Sequence, residues 1–161
     1  MRAFIIIILI LGYLGCSSDV TENTDDVSLP PSSEDTDTDT TTDSVKFVAV
    51  GNSGTILTSS DGTSWTSRTS GTSTDLTSVT YVNSTLVAVG DSGTILTSSD
   101  GTSWTSRTSG TSNSLEEVTY GNSTFVAVGQ SGTILTSSDG TSWTSRTSGT
   151  SESLWGVTYS Q

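Results

Sequence analysis

The sequence has no histidine, one cysteine and only five basic residues in a chain of 161. Without histidine, Ser–His–Asp and Cys–His catalytic groups are excluded, and the commonest zinc ligand is missing. A single cysteine cannot form an internal disulfide bond. Acidic residues number 17, so the formal net charge is −12 and binding to nucleic acid phosphates is not expected. The sequence implies no metal site and no cofactor.

The N-terminal segment, residues 1–16, has one basic residue followed by an apolar run over residues 3–14. This run is shorter than the roughly 20 residues of a membrane-spanning helix, so it indicates a signal-peptide core. It ends at Gly15 and Cys16, and here the sequence resembles the bacterial lipoprotein signal. The resemblance implies lipidation of Cys16 and a membrane-anchored protein of the bacterial cell envelope, with Ser17 favouring the outer membrane, on its periplasmic or surface face. An ordinary secretory signal or a short N-terminal anchor is the alternative.

Residues 17–44 form an acidic segment rich in Asp, Thr, Ser and Pro, with nine acidic residues and no basic one. So few apolar side chains cannot offset the chain entropy of folding, and we expect a disordered linker. A flexible chain of this length spans roughly 30 Å, and repulsion between like charges extends it further.

Residues 45–161 contain an internal repeat of 39 residues, which decides the fold class. A 21-residue segment occurs unchanged at residues 53–73, 92–112 and 131–151. The middle repeat predicts four strands, at residues 76–82, 86–89, 94–98 and 104–108. Turn residues separate them, and the Asp-Gly pair is a strong hairpin signal. The unit is therefore an antiparallel meander of four strands.

Such a unit has little core of its own, because its Val-Ala-Val strand is apolar on both faces. Stacked blades around an axis would bury both faces, so we predict an all-β chain forming a partial β-propeller of three blades. One tryptophan per repeat is interpreted as an anchor between blades. A platform for sugar binding is the alternative for these rings.

The segment SSDGTSW, at residues 59–65, 98–104 and 137–143, resembles the Asp-box, or BNR repeat. The wider pattern over residues 118–143 is similar to BNR-like propellers related to photosystem II assembly factors. In that family the Asp-box is a structural hairpin, usually away from the ligand. The resemblance implies this structural role for Asp61, Gly62, Trp65, Asp100, Gly101, Trp104, Asp139, Gly140 and Trp143.

The sequence does not decide how the predicted blades close into a ring. The first repeat lacks its first strand, and residues 154–160 are expected to supply one more strand at the end. We expect two chains to form a homodimer of six blades, which would hide the outer blade faces. A three-blade monomer or open array, and a fragment of a longer propeller without a function of its own, are the alternatives.

One end of the predicted meander carries most of the differences between repeats. Because loops on a rigid scaffold carry function, this end is the candidate binding face for a protein or a glycan. Neutral drift in exposed loops explains the same variation. The candidate residues are Asp75, Asp91, Glu116, Glu117, Gln130, Glu152 and Trp155.

A hydrolase has to be considered, because Asp-boxes also occur in sialidases. Arg68, Arg107 and Arg146 could suggest three arginines gripping a carboxylate, but they occupy one position in each repeat. A catalytic site needs asymmetry that this repeat does not supply. We therefore expect a non-enzymatic protein without catalytic residues, with a sialidase-like glycan hydrolase as the alternative.

Overall fold

The computed structural model describes residues 8–9 and 44–160. The predicted signal peptide, apart from Ile8 and Leu9, and the linker up to Asp43 lie outside the described residues. The boundaries of these segments therefore stay predictions.

The described strands form three antiparallel sheets of four strands, each paired in chain order. The first sheet contains β1 (Ile8–Leu9), β2 (Phe47–Val50), β3 (Ile56–Ser59) and β4 (Thr66–Arg68). The second contains β5 (Leu76–Val82), β6 (Thr85–Gly90), β7 (Thr94–Ser98) and β8 (Thr105–Arg107). The third contains β9 (Leu115–Gly121), β10 (Thr124–Gly129), β11 (Ile134–Ser137) and β12 (Thr144–Arg146). We call these sheets blades one, two and three.

The blades follow the predicted meander closely, because Val, Ile and Thr favour strands and the turn residues interrupt them. Strand β6 begins earlier than predicted, at Thr85, because Asn83 and Ser84 both have positive φ and form a tight two-residue turn. Strand β8 is shorter than predicted and leaves out Trp104.

Hydrophobic side chains are buried between consecutive blades rather than within one blade. One cluster joins Val48, Val50 and Ile56 of blade one to residues of blade two that include Leu86 and Leu96. A second cluster joins blades two and three in the same way. The all-β architecture is that of a partial β-propeller, as the repeat predicts.

The predicted strand at residues 154–160 is wrong, since this segment has no strand assignment. Among the described residues no strand pairs with it in a hydrogen-bonded ladder, although Glu117 and Gly121 of β9 lie against it. In blade one, the position beside β2 is held by Ile8 and Leu9, which pair with Val48 and Phe47. The C-terminal segment therefore does not complete the first blade of its own chain.

Candidate functional site

The meander places its turns at two opposite ends, and the end with the Asp-Gly hairpins forms a closed set of hydrogen bonds. In blade two, Ser98 Oγ accepts the backbone N–H of Gly101 at 2.8 Å and donates to Asp100 Oδ1 at 3.0 Å. Asp100 Oδ1 also accepts the backbone N–H groups of Thr102 and Ser103, at 2.8 and 2.9 Å. The hairpins of the other blades repeat these bonds around Asp61 and Asp139. The hairpin end therefore uses its own carboxylates to hold its own backbone.

These bonds also set the charge state of the hairpin carboxylates. The backbone N–H of Ser103, followed by that of Thr102, holds the pKa of Asp100 well below its usual range. The equivalent backbone N–H groups lower the other two pKa values: that of Ser64 acts first on Asp61, and that of Ser142 acts first on Asp139. The carboxylates are thus ionised at neutral pH and fixed in position, so they are poor candidates for general acid or base chemistry.

Two of the three repeated tryptophans lie at junctions between blades, whereas Trp65 packs against Phe47 of its own blade. Trp104 packs against the cluster of blades one and two, and Trp143 against the cluster of blades two and three. Each indole Nε1 donates to the carbonyl oxygen of the hairpin glycine, at 3.0 Å for Trp104. A Cβ at Gly101 would lie 3.0 Å from Val45 of the preceding blade, so the hairpin itself touches its neighbour. This arrangement favours the packing role over a sugar platform.

The opposite end, which we call the variable end, contains the short turns Asn52–Gly54, Asp91–Gly93 and Gln130–Gly132 together with the links at residues 74–78, 113–117 and 152–156. Asp75 lies in the link to blade two, and its Oδ1 accepts the backbone N–H of Ser53 at 2.8 Å. Its carbonyl oxygen accepts the N–H of Asp91 at 2.9 Å. Asp75 therefore ties the turn of blade one to the turn of blade two, and its carboxylate has a structural partner.

Glu116 and Glu117 are neighbours on β9 but meet different partners. Gln130 Nε2 donates to Glu116 Oε1 at 3.2 Å, which joins two candidate residues at the variable end. Glu117 Oε2 accepts the backbone N–H of Val157 at 2.8 Å and so bridges blade three and the C-terminal segment. The sequence does not distinguish these two roles, because only the fold shows that Glu117, and not Glu116, bonds to the C-terminal segment.

Glu152 and Trp155 lie on the last link of the variable end. Glu152 is exposed, and its carbonyl oxygen accepts the N–H of Gly132 at 2.8 Å. Trp155 is 69% exposed, the largest exposed fraction among the big apolar side chains of the described residues. Asp91 is half-buried and Gln130 is exposed. The structure thus leaves Asp91, Glu116, Gln130, Glu152 and Trp155 able to meet a partner at this end.

Sequence reasoning missed a polar groove of about 580 Å³ that is lined by the link into blade three, the turn of that blade and residues 145–151 of β12 and the loop after it. Asn113, Thr133 and Arg146 are among its lining residues. Asn113 Nδ2 donates to Thr133 Oγ1 at 2.9 Å, which holds the two walls together. The sequence contains a signal for this groove, because the repeat position of Asn113 differs in every link and has Thr74 and Glu152 in the other two.

The three arginines lie on separate blades and have a local role. In each blade, arginine Nε donates at 2.8 Å to a threonine hydroxyl of the adjacent strand, as Arg107 does to Thr97. Within residues 8–9 and 44–160, no group of three or more acidic, cysteine or histidine side chains is placed to hold a metal ion. No helix in that part of the chain is long and apolar enough to span a membrane.

The blades and their packing define the class of protein as a partial β-propeller with four-stranded blades. A scan against protein-family models found no match, and a search of curated proteins found none. Among solved structures, the chain is similar to the protein in "YCF48 bound to D1 peptide", with 23% sequence identity and a TM-score of 0.54. The likeness covers 63% of this chain and 36% of that one, so the chain spans about a third of its neighbour's length. At this identity, the likeness supports the fold.

Proposed function

We propose that this chain is a non-enzymatic, lipid-anchored protein of the bacterial cell envelope whose variable end binds a basic segment of a protein partner. One observation carries the proposal. Residues 45–161 contain eight acidic side chains, of which three belong to the hairpins. The other five lie at the variable end: Asp75, Asp91, Glu116, Glu117 and Glu152.

The charge of the variable end determines the chemistry of the partner. Two of its carboxylates, on Asp75 and Glu117, accept backbone N–H groups of the same chain. At physiological salt an exposed charge acts over about 8 Å, so a cation that reaches this end is attracted by the carboxylates nearest to it. Lysine and arginine side chains of a partner are therefore favoured, and Trp155 adds an exposed ring for cation–π contact.

The solved neighbour supports a protein partner, because YCF48 is bound to a D1 peptide in that structure. The hydrogen bonds within each hairpin support the structural role that the Asp-box resemblance implies. The arginines serve their own blades, which argues against sialidase-like carboxylate binding. These features favour binding or assembly over catalysis.

The proposed anchor is the lipid on Cys16, followed by the acidic linker over residues 17–44. This linker would hold the propeller domain roughly 30 Å or more from the membrane. The acidic charge of the linker also keeps it from adhering to anionic lipid. The domain would then present its variable end to envelope proteins.

Binding can be tested with an array of peptides that tiles the exported proteins of the source organism. We expect the bound peptides to be enriched in Lys and Arg. The triple variant Asp91→Asn, Glu116→Gln, Glu152→Gln should weaken binding of the best peptide roughly tenfold at 0.15 M salt, because each exposed charge pair contributes about 0.2–1 kcal/mol.

A matched control removes three charges from the linker with Glu22→Gln, Glu34→Gln and Asp37→Asn. This control changes the net charge equally and should bind like the unmodified protein. Peptides without basic residues, or equal loss of affinity in both triple variants, would contradict a recognition site at the variable end.

A further inference from the structure

The two contacts between consecutive blades are built alike. In each, the same face of the earlier blade packs against the opposite face of the later blade. Blade two presents Val87, Val89 and Ile95, which are all fully buried, to blade three. Blade three meets them with Phe125, Ala127 and Leu135. The contact between blades one and two has the same pattern, with Val48, Val50 and Ile56 meeting Leu86, Ala88 and Leu96.

The two outer faces of the blade row carry the residues of this same contact. Blade three has Val126, Val128 and Ile134 on its outer face, identical to the valine–valine–isoleucine set of blade two. Blade one has Phe47, Ala49 and Leu57, identical to the set with which blade three meets blade two. Val126 and Ile134 are half-buried, whereas Val87 and Ile95 have 0% exposure.

The C-terminal segment supplies the third part of the contact. Between blades two and three, Leu115 and Val118 of β9 are buried and Tyr120 packs against them. Their equivalents are Leu154, Val157 and Tyr159, and Tyr159 is 47% exposed. The C-terminal segment leaves blade three along the same backbone path that the chain takes from blade one into β5.

This common path is defined by a repeated backbone hydrogen bond. The N–H of Leu154 donates to Gly129 O at 3.0 Å, as the N–H of Leu76 donates to Gly51 O at 3.0 Å. The Tyr159 ring then lies over Gly121, where any Cβ would overlap it. The segment thus occupies the place of a first strand, and no second strand pairs with it among residues 8–9 and 44–160.

The side of β2 that faces away from β3 is the edge that such a strand fits. Among the described residues it is paired only at Phe47 and Val48, with Leu9 and Ile8. In blade three, Tyr120 lies opposite Phe125, with ring centroids 4.7 Å apart. The same register applied to β2 sets Tyr159 opposite Phe47 and Ser160 opposite Lys46.

We propose that two copies of this chain associate head to tail, each adding its residues 154–160 to the edge of β2 that faces away from β3 in the other. Blade three of each copy then packs on blade one of its partner, and the contacts repeat those between blades two and three. A two-fold axis relates the copies, and the result is a closed ring of six blades. In this arrangement the donated strand replaces the short pairing of Ile8 and Leu9, because it forms a longer ladder on the same edge.

The register can be tested by disulfide cross-linking between two full-length chains purified in mild detergent, both in a Cys16→Ser background. One chain carries Lys46→Cys and the other, with a size tag, carries Ser160→Cys. Mixing and mild oxidation should give a covalent heterodimer on a non-reducing gel that is lost on reduction. The control pairs Lys46→Cys with Ser151→Cys, which lies at the variable end, and should give none.

The oligomeric state provides an independent test. Light scattering should give twice the mass of one chain for the unmodified protein. Val126→Asp should halve this mass, whereas Ser145→Asp on the exposed strand β12 should leave it unchanged. Should Val126→Asp prevent folding, the cross-link of the first test decides. A folded protein with the mass of one chain, or a Lys46→Cys, Ser160→Cys double variant that cross-links only within one chain, would overturn the proposal.

Discussion

Replacing Gly93 with alanine should destabilise the protein much more than replacing Gly110, although both glycines have positive φ. The φ values are +69° and +77°. An alanine in the left-handed region costs about 1–2 kcal/mol, and restricting the unfolded chain offsets about 0.4–1 kcal/mol of that cost. A Cβ at Gly110 has nothing within 4 Å, so Gly110→Ala should lower the free energy of unfolding by about 1 kcal/mol.

At Gly93, the added Cβ also meets the link between blades two and three. It would overlap the carbonyl oxygen of Thr111 and lie 2.8 Å from Ser109 Oγ. Ser109 Oγ donates to that same carbonyl at 3.1 Å, so the link cannot move without breaking this bond. Overpacking of this kind adds about 1–3 kcal/mol, and we expect a total of about 2–4 kcal/mol for Gly93→Ala.

The free energies can be measured by urea unfolding followed by tryptophan fluorescence, at one fixed protein concentration. The slope of the transition has to agree between variants before midpoints are compared. Gly149→Ala is a second control, because Gly149 has a φ of +79° and also has nothing within 4 Å. Equal midpoints for Gly93→Ala and the two controls would refute the reasoning, since backbone conformation alone would then set the cost.

Three further predictions concern pH, packing and the anchor. Because the folded-state pKa of Asp100 is lowered, its contribution to stability is present above its unfolded pKa of about 3.9 and is lost as pH falls below that value; urea midpoints should fall with pH there, and less steeply in Asp100→Asn. Leu96 is 2% exposed between blades, so Leu96→Ala should cost about 3 kcal/mol in the same urea assay, whereas Ser145→Ala on the exposed strand β12 should change the free energy of unfolding by less than about 0.5 kcal/mol. Cys16→Ser should abolish incorporation of labelled palmitate into the protein in growing cells; continued labelling of this variant would contradict lipidation at Cys16.

The sequence predicts the blade well, because three copies of one unit repeat every signal that forms it. The range of β5 matches its prediction, as does that of β7. The failure at residues 154–160 has a physical cause, since a strand needs a neighbour to pair with as well as strand-forming residues. Strand propensity is a property of the segment, whereas pairing depends on what lies beside it.

Variation between repeats is a weaker guide to the site than to the fold, as Ser78 and Glu117 illustrate. These residues occupy the same repeat position, and sequence comparison marks that position as variable. Ser78 Oγ accepts the N–H of Val118 at 3.2 Å, and Glu117 Oε2 accepts the N–H of Val157 at 2.8 Å. Both side-chain oxygens therefore accept a backbone N–H of the segment that follows in the repeat. The longer glutamate reaches a segment that has no strand assignment. A changed residue can preserve a structural hydrogen bond, so the candidates that most merit a binding test are those whose side chains have no backbone partner of this kind.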